Sequence, residues 1–159
     1  MRGKQIAAAA LALTFAVAPA FASAGKNGST DAVEDEKVAV VKAEFAAWNR
    51  LDFKAASDLF AEDGVFRPMA GKALIGRAAI AEISALLGAG YNSVNMYVIN
   101  MGRVGDVVFA ERLDCFVYKG HAGKVPIVGV LTIENGKIKE WREYNDHAQF
   151  LRETGITKI

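Results

Sequence analysis

The stretch Val107-Val108-Phe109-Ala110-Glu111-Arg112-Leu113-Asp114-Cys115-Phe116-Val117-Tyr118 reads as one long β-strand. Side chains along a strand alternate between its two faces. Val108, Ala110, Arg112, Asp114, Phe116 and Tyr118 therefore share one face, and Val107, Phe109, Glu111, Leu113, Cys115 and Val117 share the other. The first set puts a cation and an acid side by side on an otherwise apolar surface. Charge in apolar surroundings is costly unless it is paired and hydrogen-bonded. That face therefore calls for a structural partner or for a reaction.

Strands surround this one on both sides in sequence. Residues 91–103 alternate well enough for a strand, and residues 102–106 turn it back. Residues 119–124 are Gly- and Lys-containing and read as a loop. A strand over 125–133 follows, then a hairpin turn at Glu134-Asn135-Gly136, a last strand over 137–146 and a short helix over 147–153.

The first half is helical. Thr30 or Asp31 can cap a helix whose first turn holds Glu34, Asp35 and Glu36, and Val38, Val41, Phe45 and Trp48 then recur at helical spacing. Asp52 caps a second, short helix with Phe53, Ala56, Leu59 and Phe60 inward, ended by Glu62-Asp63-Gly64. Residues 65–67 read as a short strand stopped by Pro68, and 69–75 as loop. Gly76-Arg77 opens a third helix carrying Ile80, Ile83 and Leu87 on one face. Three helices followed by an antiparallel meander make an α+β domain. A curved, mainly antiparallel sheet wrapped over three helices would enclose a pocket lined by the Arg112 face. The opposite sheet face is apolar too, through Phe109, Leu113 and Val117, which predicts a partner subunit packed on it and hence a homodimer.

The 159 residues, 52% hydrophobic and 23% charged, suffice for one globular domain with a real core. Net charge is +1, with no basic run, stacking platform or zinc-finger spacing, which argues against nucleic acid as a partner. Residues 1–24 show the charged, apolar, small-residue order of a secretory signal peptide, ending Ala22-Ser23-Ala24. Cleavage after Ala24 leaves a domain over 25–159 and removes Arg2 and Lys4 but no acid, taking the net charge from +1 to −1. The run is short for a membrane span and Pro19 breaks it, so a periplasmic or secreted protein without stable membrane insertion is expected. Cys115 is the single cysteine, so no internal disulfide can form. The two histidines lack metal spacing, and neither a metal nor an organic cofactor is expected.

The last strand adds Trp141-Arg142-Glu143-Tyr144-Asn145-Asp146, with Trp141, Glu143 and Asn145 on one face. In a meander, this strand and the Arg112 strand both flank residues 125–133. Which face of the last strand looks inward depends on the turn. A two-residue Asn135-Gly136 turn, which the sequence favours, gives one register. A three-residue Glu134-Asn135-Gly136 loop gives the opposite one and aligns Glu143 with Ile127, Gly129 and Leu131.

Glu111-Arg112-Leu113-Asp114, Ile127-Val128-Gly129-Val130, Gly136-Lys137-Ile138 and Trp141-Arg142-Glu143 together resemble the limonene-1,2-epoxide hydrolase family, of the nuclear transport factor 2-like (SnoaL-like) cone folds. Phe60-Ala61-Glu62-Asp63 and Gly76-Arg77 also fit, and the likeness covers the mature domain. The resemblance implies an acid–arginine–acid triad: Asp114 the general acid, Arg112 the bridge and Glu143 the general base, with water as co-substrate and a small apolar epoxide as substrate. It implies a pocket that includes Phe66, Pro68, Phe116, Ile127 and Trp141. The sequence departs from the family pattern in three places. The base is usually Asp, and here it is Glu143. A Tyr and an Asn that hold the attacking water are replaced by Phe66 and Pro68. Asn92, Asn95 and Tyr144 are alternative groups for that water. Two other function classes stay open: an isomerase or cyclase using Asp114 as proton-transfer base, and a non-catalytic protein binding a small apolar ligand.

Overall fold

The computed structural model describes residues 35–156. The signal peptide expected over residues 1–24 lies outside them, as do the expected caps Thr30 and Asp31. The first helix, α1 (Glu36–Asn49), is capped by Asp35, whose carboxylate accepts from the backbone N–H groups of Lys37 and Val38. Helix α2 (Phe53–Asp58) is capped by Asp52 as the sequence indicates. Strand β1 (Phe60–Pro68) and the two-residue β2 (Leu74–Ile75) precede α3 (Arg77–Gly88). The meander is β3 (Tyr91–Val104), β4 (Val107–Tyr118), β5 (His121–Glu134) and β6 (Lys137–Asn145), and α4 (His147–Thr154) closes the chain. None of the described helices is long and apolar enough to cross a membrane.

The six strands form one sheet in the order β2-β1-β6-β5-β4-β3, antiparallel except for the parallel pair β1–β6. Helix α1 lies across β3 to β6, and α2 and α3 pack on each other beside β1. The core sits between α1 and the inner sheet face. It includes Val41 and Phe45 from the helix and Val108, Val125, Leu131 and Trp141 from the sheet.

Three expected boundaries move, the smallest at Leu74–Ile75, expected within a loop but paired as β2 with Val65 and Phe66. Glu62-Asp63-Gly64 does not end the second helix, because the strand already starts at Phe60, opposite Ile138 of β6. Parallel pairing to a strand nearly 80 positions away extends it, and nothing local announces that. Residues 119–124 are not a loop. Lys119 and Gly120, both at positive φ, make a two-residue hairpin turn, and β5 begins at His121. Gly123 serves packing rather than flexibility. A Cβ there would lie 2.8 Å from both the Phe116 ring and Glu153.

The turn between β5 and β6 has the two residues the sequence favours, with Glu134 paired to Lys137 and both Asn135 and Gly136 at positive φ. That register alone would turn Arg142 toward Gly129. A β-bulge at Lys139 then shifts the pairing by one residue, so that Trp141 faces Leu131 and Glu143 faces Gly129. The bulge lets Ile138 and Trp141, three apart, enter the core together.

The outer sheet face carries several exposed apolar side chains, among them Phe109, Val128 and Tyr144, each at least 40% exposed.

Candidate active site

Alternation along β4 places Arg112, Asp114 and Phe116 inward, and the buried/less-buried alternation along the strand follows that pattern throughout. Arg112 is completely buried. Its Nε donates to Asp114 Oδ1 at 2.8 Å and its Nη2 to Asp114 Oδ2 at 3.2 Å. The same Nη2 donates to Glu143 Oε1, so one guanidinium nitrogen is shared by both acids. Trp141 Nε1 donates to the other oxygen, Glu143 Oε2, at 2.5 Å. The longer glutamate side chain is thus held at both oxygens, by a guanidinium and by an indole two residues back on its own strand.

The guanidinium lies 4.8 Å from the Phe45 ring centroid and 5.4 Å from that of Trp141. Ile127 pairs with Arg112 across the sheet, Phe116 sits two residues beyond Asp114, and Phe66 meets Trp141 edge-on at 5.4 Å. Pro68 pairs with Glu143 in the parallel β1–β6 register. All five residues expected to line a pocket are therefore gathered around the triad. Trp141 is more than lining, since its N–H fixes Glu143. Access differs between members of the triad. The side chains of Asp114 and Glu143 each keep 11% of their surface exposed, while Arg112 keeps none. The acids can be reached from outside and the bridge cannot.

Burial pushes both Asp114 and Glu143 upward from the ordinary carboxylate range. The charge and hydrogen bonds of Arg112 pull each back, and Asp114 pushes Glu143 further up. Burial also works to discharge Arg112, but the two carboxylates outweigh it and the guanidinium stays charged. One cation balances one carboxylate in a low-dielectric site. Two carboxyls both raised beside one cation are an arrangement in which one can serve as acid and the other as base.

Asn92, Asn95 and Tyr144 do not reach this site. Asn92 Oδ1 accepts from Gly120 N, Asn95 lies on the outer face opposite Cys115, and Tyr144 is 44% exposed. Two further residues belong here, of which the sequence by itself had left Glu44 unremarked. Tyr91 packs on Phe116 with ring centroids 5.9 Å apart, and burial raises its phenol, with the charges of Asp114 and Glu143 adding to the effect. Glu44, 1% exposed on α1, is acted on by the charges of Arg112 and Glu143. Its signal was present: Val41, Glu44, Phe45 and Trp48 follow the i, i+3, i+4, i+7 spacing of a core stripe, so an acid stands among core positions. Among the described residues, no group of three or more His, Cys, Asp or Glu side chains has an arrangement that could hold a metal ion.

Residues 35–155 match the family model described as the limonene-1,2-epoxide hydrolase catalytic domain. Among solved structures, a limonene-epoxide-hydrolase-like epoxide hydrolase from M. tuberculosis superposes with a TM-score of 0.67 at 20% identity, covering 75% of this chain and 89% of that one. A hypothetical protein of ketosteroid-isomerase-like fold from Catenulispora acidiphila gives 0.66 at 27% identity, covering 73% and 92%. A putative polyketide cyclase from Xanthomonas campestris gives 0.68 at 23% identity, covering 75% and 96%. The superpositions establish the nuclear transport factor 2-like fold, and with the family model spanning nearly every described residue, the chain belongs to the limonene-1,2-epoxide hydrolase family.

Proposed function

We propose that the protein hydrolyses a small apolar epoxide to a vicinal diol in one acid/base-assisted step. Asp114 delivers its proton to the epoxide oxygen as the carbon–oxygen bond breaks. Glu143 takes a proton from water as the water oxygen bonds to the ring carbon. Arg112 keeps the two carboxyls apart and stabilises whichever one is charged, and return of the proton from Glu143 to Asp114 resets the site. Both transfers are needed together, because an alkoxide leaves poorly without a proton and neutral water attacks poorly without a base. The observation that carries this reading is the Arg112 Nη2 shared by two partly accessible acids within an apolar lining.

The test is turnover of a panel of small apolar epoxides in water enriched in heavy oxygen. The expected result is one labelled oxygen per diol. No diol from any of them would overturn the proposal. An isomerase or cyclase is the second reading, favoured by Phe66 and Pro68, which cannot bond water as a Tyr and an Asn would. It predicts rearranged product without label.

Gly129 tests the geometry. A Cβ there would stand 2.8 Å from Arg112 Nη1 and 3.2 Å from Trp141 Nε1. The end of an arginine can usually swing aside, but this one is pinned by Asp114, Glu143 and two rings. In Gly129→Ala the guanidinium must shift, and a shift on the order of 1 Å costs roughly 100-fold in rate. Steady-state kinetics should show kcat falling by about that factor with the fold intact by circular dichroism. An unchanged kcat would argue against the triad.

The exposed Phe109, Val128 and Tyr144 support a homodimer formed through the outer sheet face. Sedimentation at micromolar concentration should give twice the monomer mass, and a monomeric profile removes the dimer. The expected signal peptide over residues 1–24 supports action in the periplasm or outside the cell.

A further inference from the structure

Glu44 projects from α1 into the core and is 1% exposed. Its Oε1 accepts from Trp48 Nε1 at 3.0 Å, and its Oε2 is buried with no hydrogen-bond partner. The next residue, Phe45, underlies the Arg112 guanidinium, whose Nη1 is likewise buried and without a partner. The charged groups acting on Glu44 come from two strands, Arg112 on β4 and Glu143 on β6. From β3, the ionisable side chain against this part of α1 is Tyr91, 6.3 Å from Trp48, whose phenol stays neutral. The inner face of β5 offers Val125, Ile127, Gly129 and Leu131, none of them titratable. On α2, Lys54 and Asp58 pair with each other in solvent and Asp52 caps the helix.

The interior therefore holds three buried carboxyls, two of them on the Arg112 guanidinium and the third, Glu44, within reach of its charge. An uncompensated buried carboxylate costs several kcal/mol. Asp114 and Glu143 already exceed the single cation by one negative charge if both ionise. Arg112 is the cation that acts on a third carboxylate here, and it already serves two.

We propose that Glu44 is a third acid of this site, a positioning residue that keeps its proton through the working pH range and so leaves Arg112 to Asp114 and Glu143. The catalytic consequence rests on the hydrolase reading above, and the protonation does not. Burial raises the Glu44 pKa to about 8, with Glu143 also pushing it up and the Trp48 hydrogen bond and Arg112 pulling it down. Above that pH, a second carboxylate competes with Glu143 for one guanidinium, and Arg112 Nη1 is the donor free to answer it. The grip on Glu143 loosens, and kcat/KM falls about tenfold per pH unit.

The same titration sets a stability slope. The folded pKa of about 8 lies above the unfolded value of 4.5. The stabilisation is complete below the unfolded value and is lost as pH rises through the folded one. Glu44→Gln cannot ionise, so its melting temperature should exceed that of the wild type at pH 9 by more than at pH 5.

The test uses the wild type and Glu44→Gln in two measurements. Infrared difference spectra of the wild type should show a protonated-carboxyl band at pH 7 that bleaches near pH 8 and is missing from the variant. Profiles of kcat/KM against pH, each normalised to its own maximum and taken well below the melting temperature, should show the alkaline limb at least one pH unit higher in the variant. A merely structural glutamate would move the melting temperature and leave that limb in place. Coincident limbs, or a wild type lacking the Glu44 band at pH 7, would overturn the inference. Absence of any epoxide turnover overturns the hydrolase reading instead, and the infrared band then decides Glu44 alone.

Discussion

In Asp114→Asn, epoxide turnover should fall by roughly 100- to 10,000-fold, the range that a positioned general acid contributes. Asparagine has nearly the same shape and no transferable proton. Asp114 receives two hydrogen bonds from Arg112, at 2.8 and 3.2 Å, one on each oxygen. Asparagine can accept one, while its amide N–H₂ meets the other guanidinium N–H donor to donor. Glu143 then becomes the only carboxylate on Arg112. Its balance shifts toward the charged form, since a cation without a competing acid favours ionisation. The base survives and the acid is lost, so the loss should appear in kcat with substrate binding less affected. Circular dichroism and a melting curve would establish that the variant is folded. Full activity in a folded Asp114→Asn would sink both the hydrolase and the isomerase readings.

Arg112→Met should have the largest effect on the molecule as a whole. Arg112 is completely buried, and it is the cation between Asp114 and Glu143, with Glu44 nearby. Methionine fills part of the volume but leaves these acids with no counter-charge. Removing one partner of a buried ion pair costs about 3–5 kcal/mol, because the remaining charge is stranded. The acids escape by taking up protons, so their folded pKa values rise above the unfolded ones. Stability of the variant is then greatest at low pH and is lost as pH rises through those folded values. Thermal melts at pH 5 and pH 8 should show a variant much weaker than the wild type at pH 8 and partly rescued at pH 5. A wild-type melting temperature at pH 8 would show that the acids do not depend on Arg112.

How far the sequence carries differs between residues, for physical reasons. Arg112 and Asp114 were legible because strand alternation is a property of the local backbone, and two charges among apolar neighbours stand out on it. Helix α3 and the cap of α2 were legible for the same reason: Gly76 and Asp52 act within one turn. The start of strand β1 was placed five residues late, because Phe60 is held by parallel pairing with Ile138 of β6. Glu143 was legible as a candidate but not as an inward residue. The favoured Asn135-Gly136 turn points it outward, and only the bulge at Lys139 brings it back. A trace of that bulge exists in sequence, since Ile138 and Trp141 stand three apart in a segment of period two.

By itself the sequence determined an α+β domain with a charged pair on the apolar face of one strand of its meander. Alternation, caps and turns act over a few residues, and their record is local. The tertiary structure decided which two carboxyls meet one guanidinium, that Glu44 is buried within reach of its charge, and that Trp141 holds Glu143 while Phe45 and Gly129 seat Arg112. Those contacts join α1, β4, β5 and β6, elements far apart in the chain. Their energies depend on burial and on counting charges within one low-dielectric volume, and that count exists only once the sheet has closed over the helix.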